Sequence, residues 1–198
     1  MKKCFIFVGW ILALSLLGCE HARLSIGGNP TTPYHKELAK QTRAKKLYGL
    51  EEVLYETDIT YFSDQLRDRY IDEYLRVFAP EEPDRNKFIT QQKEDQKEYT
   101  EFIVCHFTSS IDSTDLKSAE SSKVWDFFLF PDGEGKGIRP LSIDIIKKST
   151  RSEYFYPQAT AWSKIYKLRF PRVRAQSFTL EMFGPVRNID FQWKNIGA

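Results

Sequence analysis

About seven short segments of alternating or apolar character, turn residues between them, and an aromatic content of 15 % predict a mainly β fold. The layout expected is an immunoglobulin-like β-sandwich of about seven strands, with an N-terminal helix and a helical insertion after the first strand. The insertion spans residues 63–98, and a single sandwich domain spans residues 34–198. Cysteine bears on the same point. Of three cysteines, Cys105 lies in the apolar run Phe102-Ile103-Val104-Cys105, where a buried, inert thiol is expected. The other two fall in the leading segment, so an immunoglobulin-type disulfide is not available and the likeness is one of architecture.

Residues 34–48 carry a thin apolar stripe of Leu38, Ala39, Ala44 and Leu47 beside a basic face of Lys36, Lys40, Arg43, Lys45 and Lys46. This spacing predicts a helix ending near Gly49. Its basic face is expected to be solvated; the alternative is contact with anionic headgroups. From Leu50 the period changes. Val53, Tyr55, Thr57, Ile59 and Tyr61 alternate with Leu54, Glu56, Asp58, Thr60 and Phe62, which predicts a strand.

Ser63 then caps a helix in which Leu66, Tyr70, Tyr74, Val77 and Phe78 recur at helical spacing, with Asp64, Arg67, Asp68, Asp72 and Arg76 facing outward. Pro80 and Pro83 stop it. Asp84 caps a second helix to about Glu98, highly charged and therefore superficial. Strand signals follow at 101–108, 123–130, 141–147, 163–170, 177–183 and 186–193. A Ser/Asp-rich loop fills 109–122. The glycine-rich stretch 131–137 reads as a hairpin loop. Gly184-Pro185 separates the last two strands at hairpin spacing.

The first 18 residues read as a signal peptide. Lys2 and Lys3 precede an apolar run from Cys4 to Leu17 of about 14 residues, short of the roughly 20 that span a bilayer. The run closes on Leu16-Leu17-Gly18-Cys19. This resembles the lipobox of bacterial lipoproteins, and the alternative is an ordinary secretory signal. The resemblance implies cleavage before Cys19 and its multiple acylation, hence a palmitate-type membrane anchor in the cell envelope. Glu20 stands where aspartate retains lipoproteins of two-membrane bacteria at the inner membrane. The expected location is therefore the outer membrane, facing the periplasm. Residues 19–33 would form the lipidated tether, with Gly27-Gly28-Asn29-Pro30 resisting regular structure. The late segment, with Trp162, Tyr166, Phe170 and Trp193 around Pro157 and Pro171, is also similar to bacterial lipoproteins, a likeness that implies no activity.

Charge narrows the partners. Loss of Lys2 and Lys3 would bring 29 basic residues to 27, against 27 acidic. A near-neutral protein does not suit nucleic acid. The three histidines, His21, His35 and His106, have no partner at ligand spacing, so no metal or other cofactor is expected. Hydrolase and phosphate-loop motifs are absent. The acidic pairs Glu51-Glu52, Glu81-Glu82 and Glu94-Asp95 fall in segments read as exposed, and no catalytic residue is assigned. His106 alternates with Phe102 and Val104 and reads as a packed histidine.

One region stands out. Arg151, Tyr154, Tyr156, Lys167, Arg169, Arg172 and Arg174 form a basic-aromatic segment whose residue types anchor protein interfaces. In the strand at 163–170, Tyr166, Leu168 and Phe170 share one face and Lys167 and Arg169 the other. The expected role is a non-enzymatic scaffold or partner-binding lipoprotein, touching another envelope protein through 63–98 and 151–174. The alternatives are an envelope hydrolase with a non-local site around His106, and a module binding glycan or lipid headgroups through 151–174. The oligomeric state is not legible.

Overall fold

The computed structural model describes residues 31–50, 53–109, 115–116, 124–133, 135–184 and 187–194. The signal segment, Cys19 and nearly all of the tether lie outside the described residues. Among the described residues the protein is mainly β, with two antiparallel sheets and four helices. The elements are α1 (Pro33–Gln41), β1 (Thr42–Tyr48), β2 (Val53–Tyr61), α2 (Asp64–Phe78), α3 (Asp84–Glu98), β3 (Tyr99–Thr108), β4 (Asp126–Pro131), β5 (Ser142–Ile146), α4 (Thr150–Phe155), β6 (Lys164–Pro171), β7 (Ser177–Phe183) and β8 (Ile189–Lys194).

The larger sheet has strand order β1-β2-β3-β6-β5, the smaller β4-β7-β8. They pack face to face. Ile59, Tyr61, Phe102, Val104, Leu168 and Phe170 from one sheet meet Phe127, Leu129, Leu180, Met182, Phe191 and Trp193 from the other in a single core. A second core lies on the opposite face of the larger sheet, where Ile103, Cys105 and Ile165 carry Tyr34, Leu38, Leu66 and Phe155 from the helices. β3 is buried on both faces, with an apolar centre from Phe102 to Cys105 flanked by the buried polar Glu101 and His106. β6, β7 and β8 alternate as the period-two pattern requires.

Several expectations change. The helix expected over 34–48 stops at Gln41, and residues 42–48 form edge strand β1, paired with β2 from Thr42↔Thr60 to Tyr48↔Val53. Arg43, Lys45 and Lys46 thus line a sheet edge instead of a helix face, where charge discourages pairing with another chain. The helical insertion follows the second strand as a result. The stretch 131–137 folds back on β4 for one bridge, Leu129↔Ile138. The chain then crosses to the other sheet to form β5. In α2, Ser63 caps the helix as its sequence predicts, its Oγ accepting from the Leu66 amide at 3.1 Å. Arg67, expected outward, is 1 % exposed, while Val77 and Phe78, expected inward, are 37 % and 36 % exposed.

Candidate interaction surface

Helix α4 is short, and Ser149 and Ser152 fix its start in a reciprocal capping box. It aims Tyr154 and Arg151 at the C-terminal half of α2. The Tyr154 hydroxyl donates to Oε1 of Glu73. Arg76 donates to both Glu73 oxygens, Nη2 to Oε1 at 2.6 Å and Nε to Oε2 at 3.1 Å. The hydrogen bond from Arg76 outweighs partial burial and holds the Glu73 carboxyl below its ordinary range. The Arg151 guanidinium lies 4.6 Å from the Phe78 ring and 5.4 Å from the Tyr74 ring. Tyr74 stacks on Phe88 of α3 at 3.9 Å.

The helical insertion and the 151–174 segment therefore meet in one face, made by Arg76, Val77, Phe78, Arg151 and Tyr154. Exposed apolar side chains beside arginine and tyrosine have the composition of interface anchors. The half-buried Tyr74–Phe88 stack behind them ties α2 to α3.

The other residues of the basic-aromatic segment lie elsewhere. Tyr156 belongs to the second core, 7 % exposed, and burial pushes its hydroxyl well above the ordinary value. Lys167 and Arg169 project from β6 toward the helices. Arg169 Nε donates to Oε1 of Glu101 at 2.9 Å, and Lys167 Nζ lies 3.8 Å from the same oxygen. Arg169 also reaches Asp95 and Asp144 at 3.5 and 3.6 Å. Arg67 of α2 donates to the other Glu101 oxygen and to Gln92 Oε1. Arg172 grips Asp64 through two hydrogen bonds of 3.0 and 2.7 Å. These cations are neutralised within the chain and tie α2 and α3 to the sheet. Arg174 is exposed and lines an open groove of about 730 Å³ with Asp132, Gln176, Ser177 and Lys194.

His106 sits in the sandwich core. Its Nδ1 is 2.8 Å from Thr57 Oγ1 and its ring meets Trp125 edge-on at 5.1 Å. Burial pushes its pKa down to about 4, so the imidazole is neutral at physiological pH. Among the described residues Nε2 has no hydrogen-bond partner. Its polar neighbour there is a threonine, and no described carboxylate orients the ring as a catalytic base would require. Cys105 is buried, as its apolar run predicts. Among the described residues no cluster of three or more His, Cys, Asp or Glu is placed to hold a metal, and no helix is long and apolar enough to cross a membrane. Glu101 carries a signal in the sequence: a carboxylate directly before the apolar run Phe102 to Cys105 requires a cation where it is buried.

No protein-family model matches the chain, and no curated protein sequence matches it. Among solved structures, the crystal structure of Hcp1 from Salmonella typhimurium aligns over 77 % of this chain and 75 % of that one, at 5 % identity and a TM-score of 0.14. A likeness this slight carries no argument about fold or role.

Proposed function

We propose that the protein is a lipid-anchored component of the cell envelope, held through acylated Cys19 at the outer membrane and facing the periplasm, which works by binding another envelope protein. The anchor rests on the lipobox-like Leu16-Leu17-Gly18-Cys19. The binding role rests on one observation above all. Two segments distant in sequence, 63–98 and 151–174, converge on a single preformed aromatic–arginine face. The body behind that face is rigid, with two cores and a buried charge cluster. A scaffold needs such rigidity more than it needs a cleft.

The strand order supports the finer reading of the fold as immunoglobulin-like. With β1 set aside, β2-β3-β6-β5 facing β4-β7-β8 follows the ABED and CFG order of that architecture. Trp125, just before the strand equivalent to C, lies in the core as the tryptophan of such domains does.

The test is affinity capture from detergent-solubilised envelopes with the full-length protein. The wild type is expected to retain a specific protein that Arg151→Glu and Phe78→Asp both release. Equal recovery by wild type and variants, or no specific recovery by the wild type, would reject this face as the binding surface.

A further inference from the structure

The large apolar side chains left exposed are not scattered evenly. Tyr48, Leu50 and Trp162 are 61 %, 106 % and 80 % exposed, more than any other large apolar side chain among the described residues except Leu141 at 63 %. Strand register places these three at one end of the larger sheet. Tyr48 pairs with Val53 at the end of the β1–β2 ladder, Tyr55 with Thr108, and His106 with Lys164. Leu50 follows Tyr48 past that end, and Trp162 stands two residues before β6. Leu141 lies at the opposite end, its amide bonded to the Arg169 carbonyl.

The chain enters the fold on the helical face of that sheet. Helix α1 begins at Pro33, and its first turn is fastened to α4. The Tyr34 hydroxyl donates to the Phe155 carbonyl at 2.7 Å, and His35 Nε2 lies 2.8 Å from the Tyr154 carbonyl. α4 in turn bridges the end of β5 to the loop that carries Trp162. Between Cys19 and the first described residue lie residues 20–30. They reach about 40 Å at full extension, so an acylated Cys19 keeps this entry point close to the bilayer.

We propose that this end of the larger sheet rests on the lipid surface, with Tyr48, Leu50 and Trp162 seated at the boundary of headgroups and acyl chains. The inference rests on the Cys19 anchor proposed above. Tryptophan and tyrosine settle at that boundary because an apolar ring and a polar tip are satisfied together. Tyr48 and Leu50 stand together at the β1–β2 turn, and Trp162 lies two or three strand spacings of about 4.8 Å away. Isolated protrusions of this kind suit a fluid surface better than a protein partner, which needs a contiguous patch. Lys46 at this end is paired to Glu56 at 2.8 Å, and Lys45, Lys147 and Lys164 are exposed there. The contact is therefore made by apolar tips with cations beside them. The Arg151 face, on the helical side, stays open to a protein.

The test uses full-length acylated protein in protein-free vesicles of phosphatidylethanolamine and phosphatidylglycerol. Nitroxide labels are placed through Leu50→Cys, Trp162→Cys and, as control, Leu141→Cys. The labels at 50 and 162 are expected to lose collisions with an aqueous nickel reagent and gain them with oxygen, while the label at 141 stays aqueous. Labels at 50 and 162 as aqueous as that at 141 would overturn the proposal. So would protection seen in native envelopes but not in protein-free vesicles, which would assign this end to a protein. The intact mass of the same protein separates the two readings. An acyl mass on Cys19 with aqueous labels rejects the orientation alone, whereas no acyl mass rejects the anchor and the orientation with it.

Discussion

The guanidinium of Arg67 and the carboxylate of Glu101 form a fully buried ion pair between α2 and β3, 1 % and 0 % exposed at their side chains. Around it, Arg169, Lys167, Gln92 and Asp95 complete a cluster that closes the helical insertion onto the sheet. Three cations, Arg67, Lys167 and Arg169, face three carboxylates, Glu101, Asp95 and Asp144. The cluster is balanced and carries no spare charge for a ligand.

Removing one partner of such a pair strands the other. Arg67→Met is expected to destabilise the fold by about 3–5 kcal/mol, read as a lowered midpoint in urea. The double variant Arg67→Met, Glu101→Leu should recover part of that loss. A single variant as stable as wild type would show that Arg169 and Lys167 suffice to hold Glu101.

Acid should weaken the fold in two stages. His106 takes up its proton at pH about 4 in the folded chain, against an ordinary value of 6.5, because burial disfavours the charged ring. Its contribution is complete above pH 6.5 and falls away as pH drops toward 4, by about 3 kcal/mol in all. Glu101 acts lower. Burial alone would raise its pKa, but Lys167 and Arg67 outweigh that and hold it below the ordinary carboxylate value. Its contribution is present above pH 4.5 and is lost as pH falls through the folded value. Denaturation midpoints between pH 7 and 4 should decline in the wild type and flatten in His106→Leu.

Gly184, directly after β7, lies against Trp125. A Cβ at this position would stand 1.9 Å from the Trp125 ring. Gly184→Ala is expected to displace the indole and cost roughly 1–3 kcal/mol or more. A red-shifted tryptophan emission and a lowered melting temperature would register it. An unchanged melting temperature would contradict the packing of Trp125 described here.

The Arg151 face should be silent in stability. Arg151→Glu removes cation–π contacts to Phe78 and Tyr74 at a partly exposed place, each worth about 0.5–1 kcal/mol. The melting temperature should move little while capture of the envelope partner is lost. A large drop in melting temperature would instead assign Arg151 a structural role.

Sequence reading succeeded where local pattern and tertiary environment agree. β6 alternates Tyr166, Leu168 and Phe170 against Lys167 and Arg169, and the core takes one set while Glu101 holds the other. α2 was legible from Ser63 and the spacing of Leu66 and Tyr70. β1 was not, because Arg43, Ala44, Lys45, Lys46 and Leu47 are all fair helix formers, and pairing with β2 overrides that preference. α4, six residues long, is too short for periodicity to register. Of the basic-aromatic segment, the residue types were legible but their partners were not. Whether an arginine faces water or a carboxylate of the chain depends on residues 34 to 108 positions away, as in Arg67–Glu101 and Arg172–Asp64.

The account turns on Cys19. Cells expressing the wild type or Cys19→Ala would be fed a clickable palmitate analogue and their membranes fractionated. The account predicts label on the wild type, in the outer-membrane fraction, and none on Cys19→Ala. A wild-type protein that carries no label and leaves with the soluble fraction would contradict it.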